Sequence, residues 1–70
     1  MQLTINDKPR EVPTDGADAL TIDALLRHLE ITSRLTAVAL NGAIVRREEY
    51  GERQVREGDR LEIVTMVGGG

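Results

Sequence analysis

The chain has no cysteine, no phenylalanine and no tryptophan, and its 70 residues include one tyrosine, one histidine and two prolines. Without cysteine there is no disulfide framework and no thiolate chemistry, and a lone histidine forms no zinc site without three other suitable ligands. Asp15, Asp18 and Asp23 are sparse and fall on different local elements, which argues against a cation site. No apolar run approaches the roughly 20 residues of a membrane helix. The opening Met1-Gln2-Leu3-Thr4 lacks the basic and then apolar pattern of a secretion signal, so the expected location is the cytoplasm. Twelve acidic and nine basic residues give a net charge of −3, spread without runs. That balance disfavours binding driven by counterion release, so nucleic acid is not an expected partner.

What remains is aliphatic. Residues of the hydrophobic set make up 40% of the chain, chiefly 8 Leu, 5 Ile and 6 Val, enough for one small core. Met1 to Asn6 alternates, with Leu3 and Ile5 on one face, and Arg10 to Val12 can return beside it after a turn at Asp7-Lys8-Pro9. Pro13, Asp15 and Gly16 interrupt regular structure. Thr21 then offers an N-cap hydroxyl, and Ile22, Leu25, Leu26 and Leu29 recur at the spacing of one helix face, predicting a helix near Thr21 to Glu30. Val38 and Leu40 resume the alternation, Asn41-Gly42 is a two-residue turn signal, and Ile44 and Val45 continue beyond it. Arg46 to Tyr50 reads as a single helical turn or a loop. Glu57-Gly58-Asp59 is another turn, and Arg60 to Val67 is the longest strand candidate.

This order predicts an α+β domain: a sheet of four to five strands with one main helix on one face. Leu3, Ile5, Val38, Leu40, Leu61 and Ile63 would meet the apolar stripe of the helix. The other face stays open, and there Val64 and Met66, followed by Val67, form an apolar patch just before the chain end, with Ala39 a candidate neighbour. Such a patch suggests docking.

The domain is expected to span residues 1–67, leaving Gly68, Gly69 and Gly70 as a flexible tail without side chains. Fully extended, three residues reach roughly 10 Å and can enter a channel too narrow for any other residue type. The tip is an α-carboxylate, ordinarily with a pKa of about 3.3 to 3.7, hence an anion and a poor acyl electrophile at neutral pH. Activation through the α-phosphate of ATP would give a mixed anhydride that a sulfur nucleophile could open. By composition alone the glycines read equally as a linker remnant or an ordinary frayed end.

The whole chain resembles the ThiS family of sulfur carrier proteins in thiamine biosynthesis. Met1-Gln2-Leu3-Thr4-Ile5-Asn6 is similar to the family's first strand, and Thr21-Ile22-Asp23-Ala24-Leu25-Leu26 to its helix opening. Val38-Ala39-Leu40-Asn41-Gly42 with Ile44-Val45 resembles its central hairpin. Arg47 and Tyr50 fall where members carry an arginine and then an aromatic residue, and Glu57 to Val64 resembles the last turn and strand. Two departures are Arg46, where many members have proline, and a third glycine before the family's terminal pair. Gly69 and Gly70 map onto that pair. The resemblance implies a β-grasp fold, as in ubiquitin, with the last strand parallel to the first at the sheet centre. It further implies no intrinsic cofactor and no catalytic residue. A ThiF-like enzyme using ATP would adenylate the Gly70 carboxylate, a cysteine desulfurase would supply sulfur, and a ThiG-like thiazole synthase would consume the thiocarboxylate. A monomer suits a tail that visits several active sites. A MoaD-like carrier for molybdopterin synthesis, a ubiquitin-like modifier and an inert β-grasp binding module stay open as alternatives.

The remaining polar residues have plainer readings. His28 lies beyond the apolar stripe and reads as a surface residue. Arg46-Arg47 reads as a solvated edge, with Glu48-Glu49 beside it weakening any anion site. Tyr50 reads as packing, its ring on the core edge and its hydroxyl in water.

Overall fold

The computed structural model describes residues 1–32 and 34–65. Among these residues, seven short strands and one α-helix follow in the order β1 (Gln2–Ile5), β2 (Lys8–Glu11), β3 (Ala19–Thr21), α1 (Ile22–His28), β4 (Thr36–Leu40), β5 (Ala43–Val45), a 3-10 turn at Arg47–Glu49, β6 (Gln54–Arg56) and β7 (Arg60–Thr65). Five strands form a mixed sheet in the order β2-β1-β7-β4-β5, and β3 pairs with β6 in a separate ribbon. β7 lies at the centre, parallel to β1 and antiparallel to β4, as the resemblance implies.

The first hairpin turns one residue earlier than the proline suggests. Asn6 and Asp7 both have positive φ, 52° and 66°, the geometry of a two-residue turn whose twist matches its strands. Pro9 is inside β2, opposite Thr4. The Thr4 N–H donates to the Asp59 carbonyl on the other side of β1, so this pair exchanges no ladder bond and proline costs the edge strand nothing.

Helix α1 begins where Thr21 predicts. The Thr21 Oγ1 accepts from the Ala24 N–H at 3.1 Å, a cap worth about 1 kcal/mol. Two further N–H groups of the first turn, those of Ile22 and Asp23, donate to the carbonyls of Arg53 and Tyr50. These bonds fix the helix start on the segment that follows the 3-10 turn and satisfy groups that a helix cannot pair internally. At the other end Glu30 takes φ 59°, with Glu30 N–H to Arg27 and Ile31 N–H to Leu26 closing the last turn.

Ile22, Leu25 and Leu26 from α1 pack with Leu3, Ile5, Val38, Leu61 and Ile63 from the sheet. Leu29 and Leu40, expected in that set, are only partly buried at its margin. Val12, Val45 and Val55 complete the core, the last through a ribbon whose strands are three residues long. Tyr50 goes deeper than expected. Its residue is 6% exposed, and its hydroxyl donates to the Thr36 carbonyl at 3.4 Å in a buried position rather than facing water. His28 is exposed at the helix end, as expected.

Candidate functional site

The candidate site is the sheet's central strand and the face it shares with β4 and β5. The strand is anchored at its start by Asn41, which takes positive φ (49°) with Gly42 (88°) in the β4–β5 turn. The Asn41 Oδ1 accepts from the Arg60 N–H at 3.0 Å, and the Asn41 N–H donates to the Arg60 carbonyl at 2.7 Å. Midway, the Asn6 side chain takes over where β1 turns away. Its Oδ1 accepts from the Ile63 N–H at 2.8 Å and its Nδ2 donates to the Ile63 carbonyl at 3.0 Å. A side-chain amide thus supplies the donor and acceptor of a further strand residue, so β7 is held on its β1 side beyond the end of β1. At the far end Thr65 pairs with Thr36 across the strands.

Alternation along β7 puts Leu61 and Ile63 in the core and Arg60, Glu62 and Val64 on the open face. Val64 is opposite Ala37, and Ala39 lies opposite both Glu62 and Ile44. Val64 is 56% exposed and Ile44 75% exposed, with Ala37 and Ala39 between them, so the open face carries an apolar strip across β7, β4 and β5. Of the proposed partner-binding residues Val64 is on this strip, whereas Met66 and Val67 lie outside the described residues, as do the tail glycines Gly68, Gly69 and Gly70. Ile44 and Ala37 are the residues that the sequence reading missed. The signal for Ile44 was present, because a two-residue turn at Asn41-Gly42 fixes the register Leu40 to Ala43 and thereby places Ile44 against Ala39.

Among the described residues no three His, Cys, Asp or Glu side chains converge as metal ligands, and no helix is long and apolar enough to cross a membrane.

Comparison with known proteins agrees with this architecture. The model of the ThiS family matches residues 3–70. The chain is 30% identical over 70 residues to the sulfur carrier protein ThiS of Escherichia coli, covering all of both chains. It is also 40% identical over 70 residues to a thiazole synthase of Paramagnetospirillum magneticum, where it spans 20% of that longer protein. The crystal structure of the thiamine biosynthesis protein ThiS from Geobacter metallireducens superposes with a TM-score of 0.82 at 37% identity, over the full length of both chains. A ubiquitin-like β-grasp sheet with a central last strand and a full-length family match together establish that this chain belongs to the ThiS family.

Proposed function

We propose that this protein is a sulfur carrier of thiamine biosynthesis whose reactive group is the C-terminal carboxylate of Gly70. The observation that carries this reading is the end-to-end match to the Escherichia coli sulfur carrier, over all 70 residues of this chain. The fold supports it by pairing β7 with β4 up to Thr65, so that five residues, 66–70, follow the paired strand. At full extension they span at most roughly 18 Å. Residues 68–70 serve as the slender tip of this arm, and residues 1–67 as the body that carries it.

The carboxylate is a weak electrophile, and the chain's part in the chemistry is to present it. An oxygen of the Gly70 carboxylate attacks the α-phosphate of ATP on a ThiF-like adenylating enzyme, releasing pyrophosphate and leaving an acyl adenylate. The terminal sulfur of a persulfide derived from a cysteine desulfurase then displaces AMP. A thiol cleaves the resulting acyl disulfide, freeing the thiocarboxylate. Partner enzymes provide every catalytic group, and the carrier provides reach and recognition. Recognition falls to the strip of Val64, Ala37, Ala39 and Ile44, with Met66 and Val67 as further proposed partner contacts. A ThiG-like thiazole synthase is the proposed consumer. In Paramagnetospirillum magneticum a protein of that name contains a stretch similar to this entire chain, and such linkage would make their encounter intramolecular. The carrier acts as a monomer in the cytoplasm.

The test is intact mass measurement after incubation with ATP, the adenylating enzyme and a sulfur donor. Exchange of one oxygen for sulfur at Gly70 is the expected result. A lysine adduct would instead identify a protein modifier, and an unchanged mass would identify an inert module.

A further inference from the structure

On the side of the molecule that carries α1, a groove of about 440 Å³ opens between the end of the helix, the segment leading into β4 and the 3-10 turn. Its apolar floor is Leu26, Ile31 and Tyr50, and Arg27, Arg34 and Arg47 stand around it. Among the described residues none of these three arginines forms an ion pair, although Arg53 and Arg60 elsewhere do. The Asp23 carboxylate also lines the groove, so three guanidinium groups against one carboxylate leave an excess of two positive charges. That excess stands on a chain whose net charge is −3.

The fold separates Arg47 from Glu49, two residues further along the chain. Arg47 borders this groove, while Glu49 lines the separate hollow beside Leu40 and Arg53 and pairs with Arg53 at 3.7 Å. These two opposite charges, close in the sequence, therefore line different hollows. The groove also reaches the root of the tail, because Thr36 lines it and is the cross-strand partner of Thr65, the last described residue before Met66.

We infer that this groove is a second docking site, which takes an acidic chain segment of the partner protein that receives the C terminus. Carboxylates would meet the three arginines, and an apolar side chain between them would cover Leu26, Ile31 and Tyr50. Charge complementarity selects this occupant: guanidinium groups match carboxylates in planar, paired hydrogen bonds, and the apolar floor favours a peptide over a small hydrophilic anion. Two contacts, one on the open sheet face and one here, grip the carrier on both sides of the strand end and orient the tail between them. The partner's identity rests on the sulfur carrier reading, whereas the groove's preference for an acidic peptide does not.

The first measurement is an NMR titration of the full chain with the capped peptide acetyl-Glu-Leu-Glu-Phe-Glu-amide. The amides of Arg27, Ile31, Arg47 and Tyr50 should shift and saturate, the Gln version of the peptide should not shift them, and the double variant Arg27→Glu/Arg47→Glu should bind at least tenfold more weakly. The milder pair Arg27→Gln/Arg47→Gln should show a loss in the same direction, which guards against a folding defect. Absence of saturable shifts, shifts confined to the Ala39 and Val64 face, or equal shifts with inorganic phosphate would each overturn the inference. The second measurement is the rate of Gly70 adenylation by the activating enzyme at subsaturating carrier, expected to fall at least tenfold in the charge-reversed pair. An unchanged rate overturns the docking role. If the wild-type chain binds the peptide at the groove but is never adenylated, the groove stands and the carrier reading fails.

Discussion

Asn6 does two jobs that no other residue type does equally well. Its backbone takes positive φ at the first turn, where most side chains cost about 1 to 2 kcal/mol, and its amide completes the pairing of β7 with two hydrogen bonds to Ile63. The two contributions separate by substitution. Asn6→Gly keeps the turn and removes the bonds, and at about 1 kcal/mol each it should lower stability by about 2 kcal/mol. Asn6→Ala loses the bonds and adds the backbone strain, for about 3 to 4 kcal/mol in total. Denaturant midpoints of the two variants check this, and equal values would refute the strain component. The sequence showed an asparagine at the end of a strand but not this role, because a side chain substituting for backbone depends on β7, more than fifty residues away. The misplaced first turn has the same origin. Pro9 is a strong local turn signal, yet the register of an edge strand absorbs it, and the left-handed pair Asn6 and Asp7 makes the turn.

At the level of the element, the open face of β4, β5 and β7 is where stability and the proposed recognition come apart. The cores of these strands were legible in alternation, and the parallel partnership of β1 with β7 followed from the resemblance. The ribbon of β3 and β6 was not legible, because Leu20 and Val55 are single large apolar residues in three-residue strands and carry no period. Yet Val55 is fully buried. On the open face the opposite holds, since Ile44 and Val64 are large apolar residues that the fold leaves in water. Val64→Asp and Ile44→Asp should therefore cost no more than about 1 kcal/mol of stability, the span of strand propensity. Each should nevertheless weaken activation by the adenylating enzyme at least tenfold, as a buried carboxylate at a docking face would. Adenylation rates at subsaturating carrier, with a thermal melt of each variant, test both halves, and undiminished rates would remove the strip from the recognition surface.

For the whole molecule, the proposed division between a body that folds and a terminus that reacts makes opposite demands on its two parts. The body is small, and at 0.05 to 0.15 kcal/mol per residue its total stability is roughly 3.5 to 10 kcal/mol. Leu25 is fully buried beneath the sheet, so Leu25→Ala should cost about 2 to 5 kcal/mol, a large share of that total. The terminus, by contrast, is proposed to contribute chemistry and no packing. Removal of Gly69 and Gly70 should leave the melting temperature unchanged while abolishing sulfur transfer, because the new carboxylate on Gly68 falls short of the active site by roughly 7 Å, two residues of extended chain. Leu25→Ala should do the reverse: the melting temperature falls well below that of the wild type, and the fraction still folded accepts sulfur at Gly70. Melting curves and intact mass on the same two preparations decide the matter. A truncated chain that still carries sulfur would show that reach is not what the glycines provide, and a truncation that lowers the melting temperature would place them in the fold.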